Sequence, residues 1–256
     1  MRIAQLVTRA LAPAPASVAG PPALILTAHG SADPRSAANA HAIAGHLRRL
    51  APDVEVRVAF CEQNTPNLAD VLAQMRTGAV VVPLLLARAY HARVDIPELI
   101  AASGADVAQA DVLGADPRLL HVMRGRLSAL GVSRFDAGLG VVMVGVGSSH
   151  ADANARTAAV AQALGEGTRW TGVEVAFATG PAPSVPDAVA RLRARGADRI
   201  AISPWFLAHG RITDRVAGFA RGAGIPMAEP LGPHRLVAAT VLDRYEETVA
   251  AAALAA

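Results

Sequence analysis

A histidine closes each of two apolar runs. LILTAHGS, residues 24–31, leads into His29, and VVVPLLLARAYH, residues 80–91, delivers His91. Between them the alternating run Val54, Val56, Val58, Phe60 is followed two residues later by Glu62. A neutral imidazole is a good ligand for a borderline divalent metal, and a carboxylate adds charge neutralisation. The same groups can accept protons as general bases. Gly30 lets the backbone turn sharply after His29 and lets a flat ligand come close. No HExxH or CxxC spacing is present. The pattern therefore favours an open, transient metal site over a closed structural zinc site.

Strand ends are the places where such groups can converge. Residues 23–28 read as a strand, and Asp33-Pro34 supplies an N-cap and N1 proline for a helix running to about Leu50. Ile43, Leu47 and Leu50 share one face of that helix. Residues 54–60 alternate as a strand, and Thr65-Pro66 opens a helix that ends before Gly78. AVVVP, residues 79–83, has the continuous apolar character of a strand buried on both faces. A helix around 91–103, irregular at Pro97, a short strand near 106–112 and a helix from Asp116-Pro117 to about Leu130 complete this half.

The order then repeats. VRVAF at 56–60 reappears as VEVAF at 173–177, an offset of 117 that also pairs Pro66 with Pro183, Asp70 with Asp187 and Gly30-Ser31 with Gly147-Ser148. A period this long marks a duplicated domain. Second-half strands are expected near 140–146, 172–178, 198–203 and 225–228, with helices between and after. The expected fold is α/β: two tandem similar domains, each a parallel four-stranded sheet flanked by helices. The expected division is a flexible tail over 1–22, a first domain over 23–135 that carries the site, and a second over 136–256 that lacks it. In parallel sheets ligands bind beyond the carboxyl ends of the strands, where His29, Glu62 and the segment leading to His91 lie. At the matching second-half positions stand Val146, Thr179 and Ile212, so one site per chain is expected. His150 and His209 fall near the analogous edge, where they either touch the ligand or are solvated, with solvation favoured. His41 and His46 lie off the apolar stripe of the first helix and read as exposed.

Composition narrows the function classes. All 24 basic residues are Arg, spread along the chain with no basic stripe, against 21 acidic ones. That argues against nucleic acid and suits a small polyanionic ligand. One cysteine, Cys61, excludes an intrachain disulfide, agrees with a reducing cytoplasm, and reads as core packing. No apolar stretch is long enough to span a bilayer. The Ala/Pro-rich residues 1–22, interrupted by Arg9, read as a tail and not as an export signal.

The segments AHGSADPR (28–35), FCEQNTPNL (60–68) and VVPLLLARAYHARVDIP (81–97) resemble the signature segments of the sirohydrochlorin chelatases. The resemblance spans residues 23–247, in the two-domain form of that family, and GVGSSHADAN at 145–154 continues it. It implies two similar α/β domains facing a tetrapyrrole cleft. It also implies a catalytic and metal-handling set of His29, His91 and Glu62, and insertion of Fe²⁺ or Co²⁺ into sirohydrochlorin for sirohaem or cobalamin. The metal is substrate, and no tightly bound cofactor is expected. The sequence departs from the family at Ala32, at Arg88-Ala89 and at His150-Ala151, none of them among the three central residues.

Insertion requires stripping water from the ion, bending the macrocycle and removing two pyrrole protons. Ligation needs deprotonated imidazole, so activity should fall below a pH of about 6.5. Arg35, Arg88, Arg93 and Arg211 are candidates for pairing with substrate carboxylates. Ser31 and the N–H groups of the first helix could hold another, and Tyr90 flanks His91. The expected partners are sirohydrochlorin and a metal ion, with no nucleic acid and no membrane, in a cytoplasmic monomer with internal pseudo-symmetry. A non-catalytic tetrapyrrole or metal carrier is the alternative. A serine hydrolase on Ser31 lacks the G-x-S-x-G elbow.

Overall fold

The computed structural model describes residues 20–75, 78–88 and 90–255, apart from the side chain of His91. The expected tail over 1–22 falls almost wholly outside the described residues. The first half runs β1 (Ala23–Ala28), α1 (Pro34–Leu50), β2 (Val56–Phe60), α2 (Leu68–Ala73), β3 (Ala79–Pro83), a π-helical turn (His91–Asp95), α3 (Ile96–Ser103), β4 (Val107–Gln109) and α4 (Pro117–Ala129). The second runs β5 (Leu139–Gly145), α5 (Ala151–Gly165), β6 (Gly172–Phe177), α6 (Val185–Ala194), β7 (Arg199–Pro204), α7 (Arg211–Gly222) and α8 (Arg235–Ala255).

Both sheets are parallel, in the orders β2-β1-β3-β4 and β6-β5-β7. The central strands β1 and β5 are buried along their whole length, which is why they read as unbroken apolar runs. The second sheet has three strands, not the four expected. Residues 225–228 make one isolated bridge, between Met227 and Ile202. Pro226 and Pro230 carry no N–H, and Gly224 turns the chain at a φ of 63°. Too few donors remain in that stretch to extend a ladder.

Other boundaries moved for local reasons. Helix α2 begins at Leu68, capped by the Asn67 side chain on the Ala69 N–H, because the Pro66 carbonyl is taken by the Phe60 N–H at 3.0 Å. Helix α1 starts where Asp33 caps it, and Ile43 and Leu47 are fully buried. Leu50, at its last turn, is 48% exposed and does not join their face.

The last helix of each half crosses to the other. Helix α8 packs on α1, α4 and β3, while α4 packs on α5 and β7. Leu119 and Met123 of α4, Val237 and Val241 of α8, Leu26 of β1 and Met143 of β5 lie in one core cluster. Burying each such side chain contributes about 1.5–3 kcal/mol, so this shared layer ties the halves together. The Tyr245 hydroxyl of α8 adds a hydrogen bond to the Pro22 carbonyl, 2.5 Å away, at the start of β1. Among the described residues no helix is long and apolar enough to cross a membrane.

Candidate active site

His29 is the first residue beyond β1, and Glu62 the second beyond β2. Because β1 and β2 pair in register from Leu24–Val56 to Ala28–Phe60, both side chains leave the same end of the sheet. The ladder continues past the strands: the Cys61 N–H donates to the Ala28 carbonyl and the Glu62 N–H to the His29 carbonyl, each at 3.0 Å. His29 Nε2 lies 3.0 Å from Glu62 Oε1. Gly30, at a φ of 101°, makes this closeness possible. A Cβ there would sit 1.7 Å from the Glu62 carbonyl oxygen, so no other residue fits without displacing the Glu62 segment.

His91 opens the helical turn His91–Asp95 that follows β3, and its side chain lies outside the described residues. Of the expected trio the structure thus brings His29 and Glu62 together. Among the described residues no group of three His, Cys, Asp or Glu side chains forms a metal set. Cys61 is half-buried beside the β1–β2 core, and burial pushes its thiol up to about 11, helped by Asp95 and Glu62. It packs, as its side of the strand required, and offers no thiolate at neutral pH.

His29 lines a cavity of about 490 Å³ between the halves. Ser31, Asn39 and Leu85 of the first half share its wall with Val146, Phe206, Leu207, His209, Arg211 and Ile212 of the second. A middle cavity of about 270 Å³ shares Leu85, Val146, Phe206 and Leu207 with it. A third, of about 460 Å³, shares Leu86, Ala87, Thr157 and Trp205 with the middle one. The result is one groove with an apolar floor. His29 stands at one end, and Arg88, Arg93, Arg156 and Arg244 stand at the other.

The expected substrate-binding residues divide. Ser31 and Arg211 line the His29 cavity. Ser31 Oγ accepts the Asp33 N–H at 3.1 Å, so its hydroxyl braces the start of α1. Arg88 and Arg93 line the far cavity; Arg88 is paired with Asp111 at 2.8 Å, whereas Arg93 has no carboxylate partner among the described residues. Tyr90 stands 57% exposed. Arg35 is already engaged: it grips Asp33 at 2.6 Å and, across the halves, Asp214 of α7 at 2.5 Å. Its guanidinium holds the Asp33 carboxyl down to about 2 and lowers Asp214 as well.

Sequence reasoning missed Arg156 and the partner of His209. His209, expected near this edge and favoured as solvated over ligand-touching, is 44% exposed on the cavity wall, with Nε2 2.7 Å from Glu229 Oε2. Arg156 joins the arginine end of the groove from α5 and, among the described residues, has no carboxylate partner. A signal for His209 existed, since PWFLAHG (204–210) repeats PLLLARA (83–89) and sets His209 opposite Arg88. Arg156 had none, because its position depends on how the halves face each other. His41 is exposed as expected, its ring edge-on to Phe60 at 5.9 Å, while His46 is half-buried beside Arg49.

Two stretches, residues 23–130 and 140–248, match the family model CbiX. The chain is 25% identical over 204 residues to the sirohydrochlorin cobaltochelatase of Priestia megaterium, across 75% of this chain and 66% of that protein. It is 25% identical over 243 residues to the sirohydrochlorin ferrochelatase of Bacillus subtilis, across 89% of this chain and 92% of that one. Among solved structures, SirB from Bacillus subtilis with Fe³⁺ has the same fold, with a TM-score of 0.78 at 23% identity over 90% of this chain and 96% of that chain.

Proposed function

Because this chain belongs to the CbiX family, whose model matches both of its halves, we propose that it is a sirohydrochlorin chelatase, a lyase that inserts Fe²⁺ or Co²⁺ into sirohydrochlorin for sirohaem or cobalamin. One observation carries the reading: His29 Nε2 lies 3.0 Å from Glu62 Oε1 at a cavity between the halves, and Val146 faces that cavity where a second histidine would stand.

In this reading His29, Glu62 and His91 receive the metal. Neutral imidazole replaces water on the ion, and the carboxylate offsets its charge. So small a ligand set leaves positions for solvent and then for pyrrole nitrogens, and it releases the ion easily. The macrocycle lies against Val146, Phe206 and Leu207, whose apolar surface suits a ring face. Its carboxylates reach Arg211 and Ser31 at one end and Arg93 and Arg156 at the other. The last two have no carboxylate partner among the described residues, so pairing with them breaks no existing ion pair. Arg35, held by two aspartates, joins the halves and does not grip substrate. Residues from both halves wall the groove, so a cytoplasmic monomer suffices, and light scattering checks that state.

The test mixes the protein anaerobically with sirohydrochlorin and each metal in turn and follows the change in the tetrapyrrole absorption. More than one equivalent of metallated product per chain supports catalysis. A single equivalent would identify a carrier, and no product would overturn the reading. Competition between the two metals assigns the preferred one.

A further inference from the structure

We propose that His209, its ring held by Glu229, accepts one of the two pyrrole protons released as the metal enters. The inference rests on the chelatase reading and adds a base on the opposite wall. Insertion exchanges M²⁺ for two protons. Two N–H bonds break, each electron pair stays on nitrogen and becomes a metal–nitrogen bond, and the two protons leave, one to His209 and the other to water in the open cavity. A neutral imidazole has one lone-pair nitrogen. While that nitrogen of His29 is on the metal it cannot also take a proton. Glu62, beside the ion, is needed there as a negative charge. The balance calls for a base elsewhere in the cavity.

His209 meets that demand. It lines the cavity from the second half, as His29 lines it from the first. Its Nε2 is 2.7 Å from Glu229 Oε2. The carboxylate only accepts, so the Nε2 proton is assigned to that bond, and Nδ1 carries the lone pair. By accepting the Nε2 hydrogen bond, Glu229 fixes the ring's orientation and tautomer. The side chains of His209 and Glu229 are 44% and 65% exposed, so water can carry the proton away. The pair is no relic of the duplication either. Its first-half counterpart at position 88 is an arginine, while the counterparts of His29 and Glu62 are Val146 and Thr179. The two walls thus hold two independently placed imidazole–carboxylate pairs, which suits metal delivery from one side and proton removal on the other.

The experiment uses the full chain with sirohydrochlorin and Co²⁺ under anaerobic conditions. His209→Ala should lower the turnover number about 100-fold, and Glu229→Gln about 10-fold. The KM for sirohydrochlorin and the affinity for Co²⁺ should stay as in the wild type. Added imidazole should restore part of the turnover of His209→Ala. His209→Gln, which keeps bulk and polarity, should behave like His209→Ala; circular dichroism checks that both are folded. Wild-type turnover unchanged in His209→Ala and His209→Gln would overturn this inference alone. So would loss of Co²⁺ binding in either variant, since that makes His209 a ligand and not a base. No product from the wild type overturns the chelatase reading and this inference with it.

Discussion

His29 and Val146 occupy the same turn in the two halves. Each follows a central strand and precedes a glycine in the left-handed region, Gly30 at 101° and Gly147 at 97°. Each carbonyl accepts an N–H from the residue two past the neighbouring strand, Glu62 at 3.0 Å and Thr179 at 2.8 Å. The next turn matches too, with Phe60 donating to Pro66 and Phe177 to Pro183. The backbone is therefore conserved inside one molecule where the side chains are not. Thr179 even turns its hydroxyl back onto the Val146 carbonyl at 2.7 Å, satisfying the backbone and reaching no ligand. Hydrogen bonds and the two glycines maintain the turn, and side-chain identity alone decides whether it presents an imidazole–carboxylate pair or an apolar wall.

The sharpest break of that comparison is at the paired positions themselves. His29→Ala should reduce chelation by at least about 100-fold, whereas Val146→Ala should change it by less than about 10-fold; steady-state rates from absorbance check both. The two glycines should then separate stability from chemistry. A Cβ would sit 1.7 Å from the Glu62 carbonyl at Gly30 and 2.3 Å from the Thr179 carbonyl at Gly147. Each Gly→Ala should cost about 1–3 kcal/mol of stability in denaturant unfolding, but only Gly30→Ala should also lose most of the activity. Equal activity losses from both would mean that the two turns act as one unit.

A graft sharpens the comparison further. The double variant Val146→His, Thr179→Glu should create a second imidazole–carboxylate pair. Calorimetry should then find two bound Co²⁺ ions per chain, the new one weaker by at least about 10-fold because Ile212 still stands at the position of His91 and leaves that pair without a third ligand. The smallest effect belongs to the Arg35 clasp. Asp33 and Asp214 have carboxyls held below their usual range, Asp33 at about 2. Such groups favour the folded state above their unfolded pKa, near 4, and lose that contribution as pH falls through the folded value. The melting temperatures of wild type and Asp214→Asn should differ slightly at pH 7 and converge as pH falls through the lowered folded pKa of Asp214. A gap that widened below pH 4 would contradict the clasp.

How much was legible follows from the range of the interactions. Strands β1 and β3 and helix α1 fell at the expected residues, because a buried apolar run and an Asp-Pro cap are local signals. Residues 225–228 have the apolar character of a strand, but Pro226 within the stretch and Pro230 just beyond it lack the donors that a ladder needs. Leu50 kept the helical period but stands past the cover of the sheet, and periodicity records direction and not depth. The pairing of His209 with Glu229, 20 residues on in another loop, follows no spacing rule.

The order of elements, the duplication, the replacement of His29 and Glu62 by Val146 and Thr179 in the second half and the arrival of His29 and Glu62 at adjoining strand ends were written in the chain, because strand period and repeat offset are properties of neighbouring residues. Tertiary structure alone decided that α4 and α8 cross between the halves, that Arg35 spends its donors on Asp214, 179 residues away, and that Arg156 joins the arginine end of the groove. Those arrangements come from packing one half against the other. That packing minimises exposed apolar surface over the whole molecule, and it leaves no periodic trace in the sequence.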